Sequence, residues 1–180
     1  MSNRIPDLHV VPHRVGDVPA IARVHLATRR SAYAHILPSN VLSRMSTLRL
    51  QQWWEERLSA APRPHWMFVA VADLQRRWVE GFAHVGPGEE DGLGELYAIH
   101  VHPDAQGHGN GRRLLEAAVR KLESQRYRKA RLWVLAANSA AQHFYQRNRW
   151  SRVDGLVRTE NIEGVAVDEV AYERSLQPRT

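Results

Sequence analysis

The spacing of apolar and polar positions changes period several times along the chain, and each change marks an element. Residues 8–15 read as a short strand, with Pro12 pointing to a sheet edge. Asp17 is a candidate helix N-cap, and Pro19 suits the first turn behind it. Ile21, Val24, Leu26, Thr28 and Ala32 then mark a helix to about Tyr33. Pro38 punctuates, and Ser39 can cap a short helix through Met45. Leu48, Trp54 and Leu58 predict a further helix to about Ala60, stopped by Pro62 and Pro64.

From His65 the period shortens. Residues 67–72 form an apolar run bounded by prolines and Asp73, which reads as a buried strand. A polar turn over 73–77 joins it to a hairpin partner at 78–85, and an acidic glycine-rich loop follows at 86–92. Residues 95–102 are the next strand, closed by Pro103. Leu114, Leu115, Ala118, Val119 and Leu122 give 111–124 a clear helical stripe. A strand at 130–136, a helix at 138–148 and strands near 150–158 and 165–175 complete the chain. Strands and helices mixed in this order predict one α/β or α+β domain over residues 1–180.

Composition narrows the chemistry. The chain has no cysteine, which excludes a disulfide framework, a thiol nucleophile and a thiolate-bound metal. Ten histidines are present, yet His100, His102 and His108 are the only sequence cluster and no zinc-protease spacing occurs, so no metal is expected. The first residues lack an apolar signal region, and no stretch approaches the roughly 18 apolar residues of a membrane helix. A cytoplasmic protein is the expectation. The net charge of +6 calls for an anionic partner. Nucleic acid is not expected, because the arginines are scattered and form no basic stripe.

The most informative segment is Gln106-Gly107-His108-Gly109-Asn110-Gly111-Arg112, between a strand and an amphipathic helix. Glycines let the backbone approach a ligand, and unpaired N–H groups at a helix start favour phosphate. The spacing fits neither the dinucleotide fingerprint nor the nucleoside-triphosphate loop. A tight turn without ligand is the bland alternative.

Gln106, Gly109 and Gly111 form a Gln-x-x-Gly-x-Gly pattern that resembles the acyl-CoA pyrophosphate loop of the GCN5-related N-acetyltransferase (GNAT) superfamily. Residues 95–103 look like the strand that leads into that loop. Asn138, Ala141, Phe144 and Tyr145 resemble the family's Asn-x-x-Ala-x-x-Phe-Tyr signature. The front of the chain, residues 22–38, is similar to the first helices of a bacterial subgroup, so the likeness covers nearly all of it. The resemblance implies a mixed α/β fold, with a mostly antiparallel sheet of about seven strands and flanking helices. It also implies acetyl-CoA as co-substrate, an unidentified primary amine as acceptor, and allows a homodimer.

Carried over residue by residue, the resemblance gives the backbone of Gly107, His108, Gly109, Asn110, Gly111 and Arg112 to the pyrophosphate. The backbone of Ile99 and Val101 would pair with the pantetheine arm as an added strand does, with His100 between them contributing backbone contacts. Asn138 reads as a helix cap and, in the family, also as a cofactor contact. Tyr145 is either a core aromatic or the acid that protonates the departing thiolate. Glu95 is either a solvated strand-end carboxylate or the base that deprotonates the amine, with His102, His100 and Glu80 behind it. Strict alternation would put Glu95 on one strand face with Tyr97, Ile99 and Val101. Without cysteine, direct attack on the thioester is the expected route, and the Val101 N–H is a candidate oxyanion donor. Arg112 and Arg113 stand where the phosphate charge would be used. A non-catalytic acyl-CoA sensor is the alternative. Tyr33, Trp53, Trp54 and Trp66 either line the acceptor site or fill the core. Where the family has Gly-Phe after the tyrosine helix, this chain has Arg149-Trp150, and Asn148 is the expected left-handed cap.

Overall fold

A computed structural model describes residues 8–59 and 64–177. Along them run β1 (His9–Pro12), α1 (Val18–Ala32), α2 (Ser39–Arg44), α3 (Thr47–Ser59), β2 (Trp66–Val71), β3 (Val79–Pro87) and β4 (Leu93–Val101). Next come α4 (Asn110–Ser124), β5 (Lys129–Leu135), α5 (Ser139–Arg147), β6 (Ser151–Ile162) and β7 (Val165–Ser175). The strands form one sheet in the order β1-β2-β3-β4-β5-β7-β6. Every neighbouring pair is antiparallel except β4 with β5. The expected mixed, mostly antiparallel architecture is the one observed. The expected stop at Pro62 lies outside the described residues. No helix among the described residues is long and apolar enough to cross a membrane.

Each sheet face is closed by a different part of the chain. The stripe on α4 buries Leu114, Leu115, Ala118 and Leu122 against Ala83, Leu96 and Leu132. Each such leucine contributes about 1.5–3 kcal/mol of burial. Gly81 of β3 permits this approach, since a Cβ there would lie 2.9 Å from both Leu114 Cδ1 and the His100 carbonyl oxygen. On the other face, Ile21 and Val24 of α1 and Trp54 of α3 pack on Val69, Val71 and Phe82. A third cluster, with Leu26, Leu37, Val41, Met45, Leu135 and Ile162, joins α1 and α2 to the β6–β7 hairpin.

Three local expectations need correction. Asp17 makes no side-chain cap on α1. Its carboxylate instead accepts from the Arg14 N–H at 2.8 Å and from Arg77 Nε at 3.0 Å, tying the start of α1 to the β2–β3 turn. Burial alone would raise the Asp17 pKa; the Arg77 and Arg14 bonds outweigh it and hold the carboxyl below its usual range.

The second concerns β4. His84 of β3 lies opposite Ala98 and Val85 opposite Leu96, so Tyr97 is the extra residue of a bulge in that ladder. This bulge puts Tyr97 and Ala98 toward the same side and breaks strict alternation. Leu96, Ile99 and Val101 pack on the α4 side, whereas Tyr97 and His100 face the aromatic side, against His84 and Phe82 respectively. Glu95 therefore does not share a face with Ile99 and Val101.

The third is the end of α5. Trp150 N–H donates to the Tyr145 carbonyl at 3.1 Å, which puts the left-handed residue immediately before Trp150. Arg149 takes that role at φ 66°, while Asn148 has φ −101° and its Nδ2 donates to the Phe144 carbonyl. A side chain in this region costs about 1–2 kcal/mol that glycine avoids. Arg149→Gly is expected to stabilise the protein by about 1 kcal/mol, read as a rise of roughly 2–4 °C in the thermal midpoint.

Candidate active site

The site is built around a gap inside the sheet. β4 pairs with β5 only from Leu93–Lys129 to Leu96–Leu132. Beyond that point β5 continues along β7 through Leu135, and residues 97–101 of β4 continue along β3 alone. The bulge at Tyr97 coincides with the separation, as expected of a device that adds local twist. His102 N–H donates to the Glu80 carbonyl on β3 at 2.7 Å. Antiparallel alternation then turns the His100 backbone to β3 as well, and turns that of Ile99 and Val101 into the gap. The Val101 carbonyl is already met by Thr28 Oγ1 at 3.0 Å and Gln106 Nε2 at 3.1 Å. Its N–H, and both backbone groups of Ile99, face the side where β5 has turned away.

Above the gap lies the glycine turn. Gly107 and Gly109 have φ of 81° and 85°, and Gly109 is the N-cap of α4. A Cβ at either would meet nothing within 4 Å, so conformation and not crowding calls for glycine there. Asn110 is buried and donates to the Ala105 carbonyl at 2.9 Å and to Glu80 Oε2 at 3.1 Å, which anchors the loop. The first intrahelical bond runs from Arg113 N–H to the Gly109 carbonyl, leaving the N–H groups of residues 109–112 without a helical partner. That row of donors at the positive end of a 15-residue helix fits a diphosphate. The arginine side chains are turned elsewhere: Arg112 pairs with Glu116 at 2.9 Å, and Arg113 donates to the Leu8 carbonyl at 2.7 Å. His108 is exposed at the loop surface.

The other wall is α5. Asn138 Oδ1 accepts from the Ala141 N–H at 3.2 Å, the N-cap expected of it. Phe144 reaches the loop, since a Cβ on Gly111 would lie 3.4 Å from its ring and 3.7 Å from Val101. The loop, the β4 edge and α5 thus converge. Tyr145 is buried at 8% exposure among Val134, Trp150 and Tyr172. Its hydroxyl forms no hydrogen bond with the described residues. Burial, then Tyr33 and Glu169, push its pKa well above an ordinary phenol, so the proton is held across the working pH range.

On the opposite face, α1 and α3 pack aromatic and imidazole rings against β3 and β4. His25 lies 4.4 Å from the His100 ring, and its Nδ1 accepts from Trp54 Nε1 at 3.1 Å. Burial lowers both imidazoles, His100 to about 3, with Arg29 acting in the same direction. His84 is held at about 3, first by burial and then by His65. These rings are neutral at physiological pH. Glu95 is half-buried, and burial raises its carboxyl, with Glu89 adding to the rise and Arg158, Arg131 and Arg57 opposing it. A cavity of about 270 Å³ opens beside this face, between α1, the start of α3 and the β6–β7 hairpin.

Of the predicted residues, Ile99 and Val101 border the gap and the glycine loop lies against Val101, while Asn138 and Tyr145 sit on α5, which meets that loop through Phe144. His100 does not border the gap, because its backbone belongs to the β3 ladder and its ring to the aromatic face. Of the fallback bases, Glu80 is engaged by Asn110, and His102 Nδ1 accepts from Asp104 N–H in the turn after β4. Of the aromatics, Trp53 lines the cavity, Trp54 is core at 1% exposure, and Trp66 lies on the α4 side under Lys121. Glu90 of the acidic loop pairs with Arg131 at 2.8 Å. Sequence reasoning missed His25 and Arg29. Their signal is the i, i+4 spacing of Ile21, His25, Arg29 and Tyr33, which carries polar groups along the inward stripe of α1. Among the described residues no three His, Asp or Glu side chains converge as metal ligands.

Comparison with known proteins agrees with this geometry. The profile of the Acetyltransferase (GNAT) family matches residues 30–149. The uncharacterized N-acetyltransferase YuaI of Bacillus subtilis is 31% identical over 162 residues, 87% of each chain. Mycothiol acetyltransferase of Streptomyces griseus is 30% identical over 140 residues, which are 76% of this chain and 42% of that one. The chain matches under half the length of such mycothiol enzymes. Among solved structures, PaiA N-acetyltransferase from Thermoplasma acidophilum, in complex with coenzyme A, superposes with a TM-score of 0.71. It shares 17% identity over 94% of this chain and 99% of that one, a likeness of fold. The chain belongs to the GNAT family and is an acyl-CoA-dependent acetyltransferase with acetyl-CoA as its co-substrate.

Gly109→Val forces a β-branched residue into the left-handed region at the head of α4, at a cost of about 1–2 kcal/mol or more. The expected result is a loss of about tenfold or more in acetyl-CoA affinity by calorimetry. Unchanged affinity would remove the loop as the diphosphate cradle.

Proposed function

We propose that this chain acetylates a primary amine by direct attack of the amine nitrogen on the acetyl-CoA thioester. The observation that carries this reading is the gap itself: an unpaired β4 edge lies below a helix start with free N–H groups, and α5, which carries the buried, protonated Tyr145, reaches the same loop through Phe144. In this reading the Ile99 backbone pairs with the amides of the pantetheine arm, which directs the thioester into the sheet and leaves the Val101 N–H for its carbonyl oxygen. The diphosphate rests on the N–H groups of residues 107–112. Asn138, as the cap of α5, keeps that helix beside the arm.

The attacking amine needs its lone pair, and an alkylammonium near pKa 10.4 is protonated at neutral pH. Glu95 is the candidate base. Its raised pKa makes it a stronger proton acceptor than an exposed carboxylate, and a water molecule can relay the proton. As the nitrogen bonds to the carbonyl carbon, negative charge grows on oxygen and meets a fixed N–H of the β4 edge. The carbon–sulfur bond then breaks, Tyr145 supplies a proton to the departing sulfur, and the excess proton on the new amide nitrogen is released, through water, to restore the Tyr145 phenol. Its high pKa keeps that proton available until a thiolate forms in the same dry pocket.

Tyr145→Phe removes the proton donor and leaves the packing. Turnover is expected to fall about 100-fold, with acetyl-CoA affinity nearly unchanged. Full turnover in this variant would return Tyr145 to the core. The second test is the pH profile. A base must be deprotonated to act, so kcat/KM should fall on the acid side, with a midpoint above that of an ordinary glutamate. Glu95→Gln should lower kcat and abolish that limb; an unaltered limb would assign the base elsewhere.

A further inference from the structure

The cavity beside the aromatic face is lined by a cation, Arg29, that has no carboxylate partner among the described residues. Two guanidinium groups more deeply buried than most are matched by carboxylates. Arg77 and Arg131, each with 14% of the side chain exposed, pair with Asp17 and with Glu90 and Glu173. Arg49, on the cavity rim, pairs with Glu163 at 3.3 Å. Arg29 is half-buried and lines the same cavity; its guanidinium hydrogen-bonds the Tyr33 hydroxyl, yet it forms no ion pair among the described residues, and its Nε is buried without a partner. Its electrostatic neighbours are the neutral rings of His25, His100 and Tyr33. None of these three carries a negative charge; the carboxylates lining the cavity are Glu160 and Glu163, the latter paired with Arg49, and neither forms an ion pair with Arg29.

A second orphan lies next to it. Indole N–H only donates, so the Trp54 bond makes His25 Nδ1 the acceptor and puts the proton of the neutral ring on Nε2. That Nε2–H is also buried without a partner, and His25 also lines the cavity. Two unsatisfied donors, one of them charged, therefore stand together in one cavity wall. Buried polar groups are rarely left so without a ligand or ordered water to answer them. The group that answers both is acceptor-only and negatively charged, and a guanidinium matches a planar carboxylate best. Apolar wall comes from Met45, Leu50 and Trp53. The volume, about 270 Å³, is at the small end for ligand pockets of roughly 300–1,000 Å³.

We infer that the acceptor is a free amino acid, or an amine of that size bearing a carboxylate, and that Arg29 with His25 binds the carboxylate. This rests on the transfer reading above and names its substrate class. Arg29 acts in binding the acceptor, so its effect belongs in the acceptor KM.

The test compares matched acids and amides in two assays. In the first, thiol release from acetyl-CoA is measured with the proteinogenic amino acids and their amides. The best acid should exceed its amide at least tenfold in kcat/KM, the range of a hydrogen bond to a charged group. Arg29→Gln should remove most of that preference through KM and leave acetyl-CoA affinity intact, and Arg29→Lys should restore part of it. In the second, thermal midpoints are read with coenzyme A plus N-acetyl-leucine, N-acetyl-methionine or their amides. The acids should stabilise the wild-type chain more than the amides do, and Arg29→Gln should erase the difference. Amides used and bound as well as acids, or a preference that survives Arg29→Gln, would overturn the inference. If no amine releases thiol while the acids still stabilise the protein through Arg29, the carboxylate site stands and the transfer reading fails.

Discussion

The parallel pairing of β4 with β5 ends after four residues, and most of what this molecule can do depends on that ending. A continuous ladder would bury the backbone of Ile99 and Val101 in ordinary sheet bonds. The extra residue at Tyr97 twists β4 at the point where the strands part, and β7 carries β5 away. What remains is a sheet edge in the middle of a sheet. Natural proteins normally cover or pair such an edge. Here it is bounded by the start of α4 above, α5 on one side and α1 on the other. It is open to an extended amide chain and shielded from another protein's strand.

The two sheet faces divide the labour. The α4 face is apolar throughout and holds the glycine loop rigid, with Gly81 allowing the helix close to the strands and Asn110 tying its first turn to Ala105 and Glu80. The α1–α3 face mixes aromatic rings with histidines whose burial keeps them uncharged. Neutral imidazoles are poor bases at pKa values near 3, which leaves Glu95 as the better proton acceptor on that face. Burial also raises Tyr145. Burial thus shifts His25, His100, Tyr145 and Glu95 alike toward their uncharged forms.

Much of this was legible in the chain. The stripe of α4, the glycine turn ahead of it and the Asn138 cap are local patterns, and each is realised by contacts within a few residues. Glu95 and Tyr145 were legible as candidates through the family signature, but their surroundings were not. The bulge at Tyr97 has no local signature, because it is a mismatch between two strands. The left-handed residue after α5 was misread as Asn148 because propensity favours asparagine, while the Trp150–Tyr145 bond selects Arg149. Arg112 and Arg113 looked like phosphate ligands by position, yet Glu116 and the Leu8 carbonyl hold them.

The sequence by itself determined which segments become helices and strands, where the loop turns, and which family's chemistry the chain carries. Those properties depend on hydrophobic period, glycine and capping residues, all of them short-range. Only the tertiary structure decided which strand edge stays unpaired, which face each β4 side chain takes, and which arginine lacks a counter-charge. Those depend on pairings between residues far apart in the chain. Arg29 is the sharpest case: in the sequence it is one arginine among many, and only the packing around α1 buries its Nε in a cavity wall with no carboxylate paired to it.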